Sequence, residues 1–262
     1  IMIKFFRKIR YNLMETGKTG KYFKYAIGEI LLVVIGILIA LSINNWNEGR
    51  KNDKSLVTYY ERLLIDIQND LKEIETYQNY FSSSIEPIQK EIINIQSPIY
   101  NTDSLYNNVG KWIRFTREFS PNKSTYEDLL STGNINLIDN QDLKILILDL
   151  YTVNYPDFLF FQNRGNRITT DIRTTNYLSL LSYLDIFNND LEQSTDPNFE
   201  SKRPRREHKW LSNKESVEFL QFENILALTS EITYGNMTRL DKLKLELFSL
   251  IELINSELES DD

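Results

Sequence analysis

Eighteen consecutive residues, AIGEILLVVIGILIALSI from Ala26 to Ile43, contain a single charge, Glu29. As a helix they span about 27 Å, close to the roughly 30 Å hydrocarbon core of a bilayer. Tyr22, Phe23 and Tyr25 stand at one end and Trp46 at the other, where interfacial aromatic residues gather. The pattern predicts one transmembrane helix. Lys4, Arg7, Lys8, Arg10, Lys18, Lys21 and Lys24 precede it, against Arg50, Lys51 and Lys54 just after. That bias places the N-terminus in the cytoplasm and the remainder outside. A cleaved signal peptide competes, because Ala40-Leu41-Ser42 is a small-x-small site. Its charged leader and apolar run are both too long for that reading, and a retained helix is preferred.

The charge is divided as sharply as the hydropathy. Up to residue 25 there are seven cations against Glu15, whereas beyond Glu29 there are 23 cations against 35 anions, for a net charge of −7. A basic head is joined to an acidic body through an apolar segment. Within the head, Ile3, Phe6, Ile9 and Leu13 recur at helical spacing among Lys4, Arg7, Lys8 and Arg10. This is the pattern of a short amphipathic helix lying on anionic headgroups of the inner leaflet.

On a helical wheel Gly36 lies about 20° to one side of Glu29 and Ala40 about 20° to the other, with Asn47 in line. Small residues let a second helix approach, and an intramembrane carboxylate usually faces protein. The stripe Glu29, Gly36, Ala40, Asn47 therefore reads as a packing face for the chain itself or another membrane protein. The alternative has Glu29 near the cytoplasmic headgroups, snorkelling toward Lys21 or Lys24. Both readings stand at this level.

The block FRKIRYNLMETGKTGKYFKYAIGEILLVVIGILIALSINNWNE resembles the N-terminus of an uncharacterised family of Bacteroidota, mostly flavobacterial, membrane proteins known only as a domain of unknown function. The later block TYEDLLSTGNINLIDNQDLKILILDLY, residues 125–151, is similar to that family's second recurring stretch. The resemblance implies a single-span protein of the bacterial inner membrane with a periplasmic helical region, and it implies no activity. Ser42 stands where the resemblance implies glutamine.

Beyond the span, apolar residues at Leu56, Tyr60, Leu63, Ile67, Leu71, Ile74, Phe81, Ile85, Ile88, Ile92 and Ile95 follow steps of three and four, with Gln78 the one polar member. They predict a helical seam about 60 Å long, interrupted by a kink or break at Pro87. No Gly-Pro linker separates the seam from Trp46, so one helix could continue through both. Val217, Leu220, Ile225, Leu228, Ile232, Leu240, Leu243, Leu247, Leu250, Ile254 and Leu258 predict a second long helix, weakest at Gly235. Between them, helices are expected over 104–118, from a capping box at Ser124 to Gly133, over 141–155 before Pro156, and over 158–187. A polar loop should fill 188–213. The expected fold is all-α: a basic segment over 1–20, a transmembrane helix over 21–47, and an elongated extracytoplasmic helical bundle over 48–262 with long first and last helices.

The composition closes off much enzyme chemistry. There is no cysteine and one histidine, His208, which removes thiolate nucleophiles, cysteine metal sites and the usual His-rich zinc and triad arrangements. No phosphate loop, nucleophile elbow, zincin or EF-hand motif is present. Asp66 and Asp70 share a helix face at i, i+4, but such pairs are usually solvated faces rather than cation sites. No catalytic, cofactor or metal residue is nominated. The cluster KRPRREHK over 202–209, with Lys202, Arg203, Arg205 and Arg206, reads as a solvated loop or as a docking patch for an acidic partner or headgroups. It lacks the interleaved aromatic residues of a nucleic-acid surface, and His208 within it is expected to be exposed.

Three functions follow as expectations. The first is a non-catalytic, membrane-anchored scaffold or accessory subunit. The second is a sensor-like module whose bundle binds a small ligand. The third is an envelope hydrolase using exposed carboxylates.

Overall fold

A computed structural model describes residue 11 and residues 19–102, 118–177, 180 and 207–260. No β-strand occurs among the described residues, and the protein is all-helical. The elements are α1 (Thr19–Gln96), α2 (Ser124–Ser131), α3 (Gln141–Asp149), α4 (Tyr155–Asp171) and α5 (Val217–Ser260). Short 3-10 turns occupy Asn134–Leu137 and Lys209–Ser212, and π-helical turns occupy Leu150–Asn154 and Ile172–Tyr177. The chain separates into two compact units, Ile1–Thr58 and Tyr59–Asp262, and α1 contributes residues to both. The helix expected over 104–118 and most of the loop over 188–213 fall outside the described residues.

In the second unit α1 buries Tyr60, Leu63, Ile67, Asp70, Ile74, Tyr77, Phe81, Ser84, Ile88, Glu91 and Ile95. The steps alternate three and four without a slip, which is the a/d spacing of helices packed along a straight seam. The apolar reading chose Leu71, Gln78, Ile85 and Ile92, each one residue late. All four are only partly buried, while Asp70, Tyr77, Ser84 and Glu91 face inward. The seam thus takes in polar side chains that hydropathy alone assigns to water.

Pro87 does not split α1. The hydroxyls of Ser82, Ser83 and Ser84 donate to carbonyls of the preceding turn, Ser82 to Gln78 at 2.6 Å and Ser83 to Tyr80 at 2.8 Å. Beyond the proline, Ile88 and Ile95 are buried in a cluster with Phe219, Phe222, Ile225 and Leu226 of α5. Packing on the far side holds the helix where the missing N–H would release it.

The last helix has the same spacing: Leu226, Thr229, Thr233, Asn236, Leu240, Leu243, Leu247, Leu250 and Ile254 are buried. Gln78 donates to Asp241 at 2.6 Å and Lys244 pairs with Glu75 at 3.2 Å. As α1 advances by three, α5 retreats by three, so the two helices run antiparallel. Near its start the expected faces are exchanged. Val217 and Leu220 are 68% and 54% exposed, whereas Phe219 and Phe222 are buried. Trp210 decides this, with its ring centroid 5.5 Å from Phe222 and 6.5 Å from Phe219. His208 is partly buried beside that indole rather than exposed, 6.5 Å between centroids.

The helix expected to stop before Pro156 continues. Tyr155 N–H donates to the Leu150 carbonyl, an i→i+5 bond, and Pro156, which has no N–H, follows directly on this π turn. Tyr151 and Tyr155, four residues apart on one helical face, are both buried. Where α4 crosses α5, Gly165 permits contact that a side chain would prevent: a Cβ there would stand 2.9 Å from Ile232 Cγ2. Gly165→Ala should therefore destabilise the chain by about 1–3 kcal/mol in denaturant unfolding. Adding Ile232→Ala should recover part of that loss, and strict additivity of the two losses would show that the contact does not limit the crossing.

Candidate functional site

Two places gather the residues that function could use. The first is the apolar part of α1, which contains a window of mean hydropathy 2.7 with none of it buried, long and apolar enough to cross a membrane. Ile27, Ile30, Leu31 and Leu32 are 58–69% exposed. On the stripe, Glu29 is partly shielded, Gly36, Ala40 and Asn47 are exposed, and a Cβ on Gly36 would meet nothing within 4 Å. At its end the Arg50 guanidinium lies 5.2 Å from the Trp46 ring centroid. Lys4, Arg7, Lys8 and Arg10, and likewise Lys202, Arg203, Arg205 and Arg206, lie outside the described residues.

The second is a polar ladder in the second unit between α1 and residues 122–134. Asn134 donates to the Tyr59 hydroxyl at 3.1 Å. Arg62 pairs with Asp128 at 2.7 Å. Asp66 accepts from the Thr125 backbone N–H at 3.3 Å. Asp70 accepts from Asn122 twice, from the backbone N–H at 3.0 Å and from the side-chain amide at 2.6 Å. Rungs at 59, 62, 66 and 70 meet 134, 128, 125 and 122 in antiparallel order. Arg62 and Asp128 are exposed enough that their pair contributes at most about 1 kcal/mol, so it sets register more than stability.

This ladder corrects the expected capping box. Ser124 does not cap α2; the N-cap position is Lys123, without a side-chain bond. The first-turn donor is satisfied by Asp66 from α1, so the cap comes from another helix rather than from the local sequence. The boundaries at Gly133 and ahead of Gln141 hold. Gly133 takes φ 74° just past α2, a left-handed conformation suited to glycine, and Asn140 caps α3 by accepting from Leu143 N–H at 3.1 Å.

Asp70 is the buried end of the ladder, with no exposed surface. Its second oxygen accepts from the Tyr155 hydroxyl, and Phe119, with its centroid 6.0 Å from Tyr155 and 6.2 Å from Tyr77, closes the apolar wall. Burial pushes the Asp70 carboxyl above its ordinary 3.8, and the nearby Asp66 charge adds to this. The bonds from Tyr155 and Asn122 oppose it. Burial, reinforced by Asp70, pushes the Tyr155 phenol well above its usual range, so it remains a donor. Tyr151 stacks on Tyr126 at 4.2 Å, and its buried hydroxyl has no partner.

The arrangement fixes a surface segment on a helix and holds its acceptors saturated. Among the described residues no group of three or more His, Asp or Glu could hold a metal ion. Sequence reasoning saw Asp66 and Asp70 only as a spaced acidic pair; the signal it passed over was that position 70 continues the three-four spacing from Leu63 and Ile67.

With its folded pKa raised, Asp70 contributes stability that is full below 3.8 and is lost as pH rises through the raised value. Asp70→Asn keeps an acceptor for Asn122 and offers its amide to the Tyr155 oxygen. Urea unfolding should show this variant gaining on the parent between about pH 4 and pH 7. Asp70→Ala, which leaves Asn122 and Tyr155 unsatisfied, should cost about 2–3 kcal/mol. Equal losses for both variants, with an unchanged pH slope, would remove the buried carboxyl from this role.

No curated protein and no solved structure matches the chain. A family model, described as a family of unknown function (DUF6090), matches residues 29–182, from Glu29 through α4. That span takes in the ladder, its partner segment and the apolar part of α1 from Glu29 onward, and since it exceeds half the sequence the chain belongs to the DUF6090 family of unknown function.

Proposed function

We propose that this protein is a non-catalytic scaffold or accessory subunit, anchored by residues 21–47 in a bacterial inner membrane with its N-terminus in the cytoplasm and its helical domain in the periplasm. The observation that carries the reading is the uncovered stripe on α1. Gly36 has open space above it, and an apolar window with none of its residues buried needs lipid or another helix around it. The cation bias ahead of the span supports the orientation. In the second unit Arg62, Asp66 and Asp70 are bound to the chain's own α2 segment, which suits a structural role for them better than a catalytic one.

The partner in this reading is a second copy or another membrane protein, with Glu29 supplying a hydrogen bond across the helix interface and Gly36 and Ala40 allowing close approach. Lys4, Arg7, Lys8 and Arg10 would hold the preceding segment against anionic headgroups.

The test is the mass of the full-length chain extracted from its native membrane in mild non-ionic detergent. A defined oligomer or stoichiometric complex is expected. Replacing Glu29, Gly36 and Ala40 together by leucine should lower the assembled fraction at least tenfold, about 1.4 kcal/mol of association. A monomer before substitution, or assembly unchanged after it, would refute the scaffold reading.

A further inference from the structure

Where α4 packs against α5, the two helices leave a cleft of about 200 Å³. Glycines make the room. Gly165 lets Ile232 close against α4, and above Gly235 there is space into which the Arg239 side chain folds. The volume accommodates on the order of a dozen water-sized groups.

The polar groups in this cleft are poised rather than satisfied. Arg239 donates from Nη1 to the Gly235 carbonyl at 3.0 Å, and its Cζ sits 3.5 Å from the Phe161 ring centroid. Those two contacts fix the guanidinium, yet it has no carboxylate partner among the described residues, so its other donors are unused. Arg164, on the rim, is likewise unpaired. Asn236 is 4% exposed and lines the same cleft. Its side-chain Nδ2 lies 3.7 Å from where a Cβ on Gly165 would stand.

The cleft is also polarised along its length. Arg239 and Asn236 mark one end, and two turns back along α5 stand Leu228 and Glu231, with Ile168 opposite on α4. Leu228 also borders a second cleft of about 210 Å³, lined by Ile172, Ile225, Gln221 and Asn224.

We infer that this cleft binds a small organic carboxylate with an apolar body. The carboxylate is held by Arg239 and Arg164 and receives a hydrogen bond from the Asn236 amide. The body lies against Ile168, Leu228 and Ile232. Glu231 faces the far end and disfavours a second negative charge there, which selects monocarboxylates over dicarboxylates. The site goes beyond the scaffold reading and does not depend on it.

The experiment is calorimetric titration of the full-length chain in non-ionic detergent with benzoate, with benzamide as its neutral counterpart and inorganic phosphate as an anion without an apolar body. Benzoate should bind saturably at millimolar concentration, and benzamide and phosphate at least tenfold more weakly. Arg239→Met and Arg164→Gln should each weaken benzoate at least fivefold. Arg164 is on the surface, so its variant should retain the parent unfolding transition and report binding alone. Absence of saturable benzoate binding, equal binding of benzamide or phosphate, or unchanged affinity in a folded Arg164→Gln variant would each overturn the assignment.

Discussion

A carboxylate placed where a leucine would ordinarily go organises the second unit. Asp70 occupies a seam position of α1 between Ile67 and Ile74, with no exposed surface, and each of its oxygens is engaged from a different part of the chain. Asn122 brings the segment that begins α2, and Tyr155 brings the start of α4. An apolar residue at position 70 would bury as much surface but could not choose among partners. The two directed bonds fix which segment lies over which turn of α1, at the cost of desolvating an ionisable group. Asp66 and Arg62 then continue the register outward, toward water, where the same interactions are weaker and serve alignment.

The π turn at Leu150–Asn154 depends on the same site. Tyr151 and Tyr155, four residues apart, share one helical face, and the Tyr155 hydroxyl reaches Asp70. A π turn is a local defect that the surrounding structure must hold in place. Here the returns are specific: a hydrogen bond to a buried carboxylate and a stacked Tyr126–Tyr151 pair. Neighbouring Pro156, which has no N–H to give, follows directly on that turn.

How far the sequence discloses this depends on which signal each element uses. The long helices are legible from spacing, because several turns of apolar residues outweigh single exceptions. Glycine and asparagine boundaries at Gly133 and Asn140 are legible because their backbone requirements are local. The register of the α1 seam is not, since Leu71, Ile85 and Ile92 make a plausible stripe until Tyr155 and Asn122 are known to satisfy Asp70. The same holds for Ser124, whose local motif is overridden by a carboxylate 58 residues earlier. The Asp70 site is legible in the sequence only as an acidic pair and as a polar residue on the three-four spacing of Leu63 and Ile67; its partners Asn122 and Tyr155, 52 and 85 residues away, leave no local trace. Val217 and Leu220 mislead for a related reason: Trp210, seven residues before Val217, selects Phe219 and Phe222.

The two polar elements of the chain stand in opposite conditions, and the contrast bears on function. Along the ladder every carboxylate meets a donor from the chain itself, so those groups are spent on the fold. Along α1 before residue 48, and in the cleft beside α5, the reverse is true: Gly36 and Ala40 lie open, and Arg239 is oriented by Phe161 and Gly235 without a counter-charge. A chain that saturates some polar groups so thoroughly gains nothing from orienting others toward empty space unless something arrives there. In the function proposed above, recognition falls to the places left unsaturated, and the ladder holds α1 and the segment that begins α2 in register.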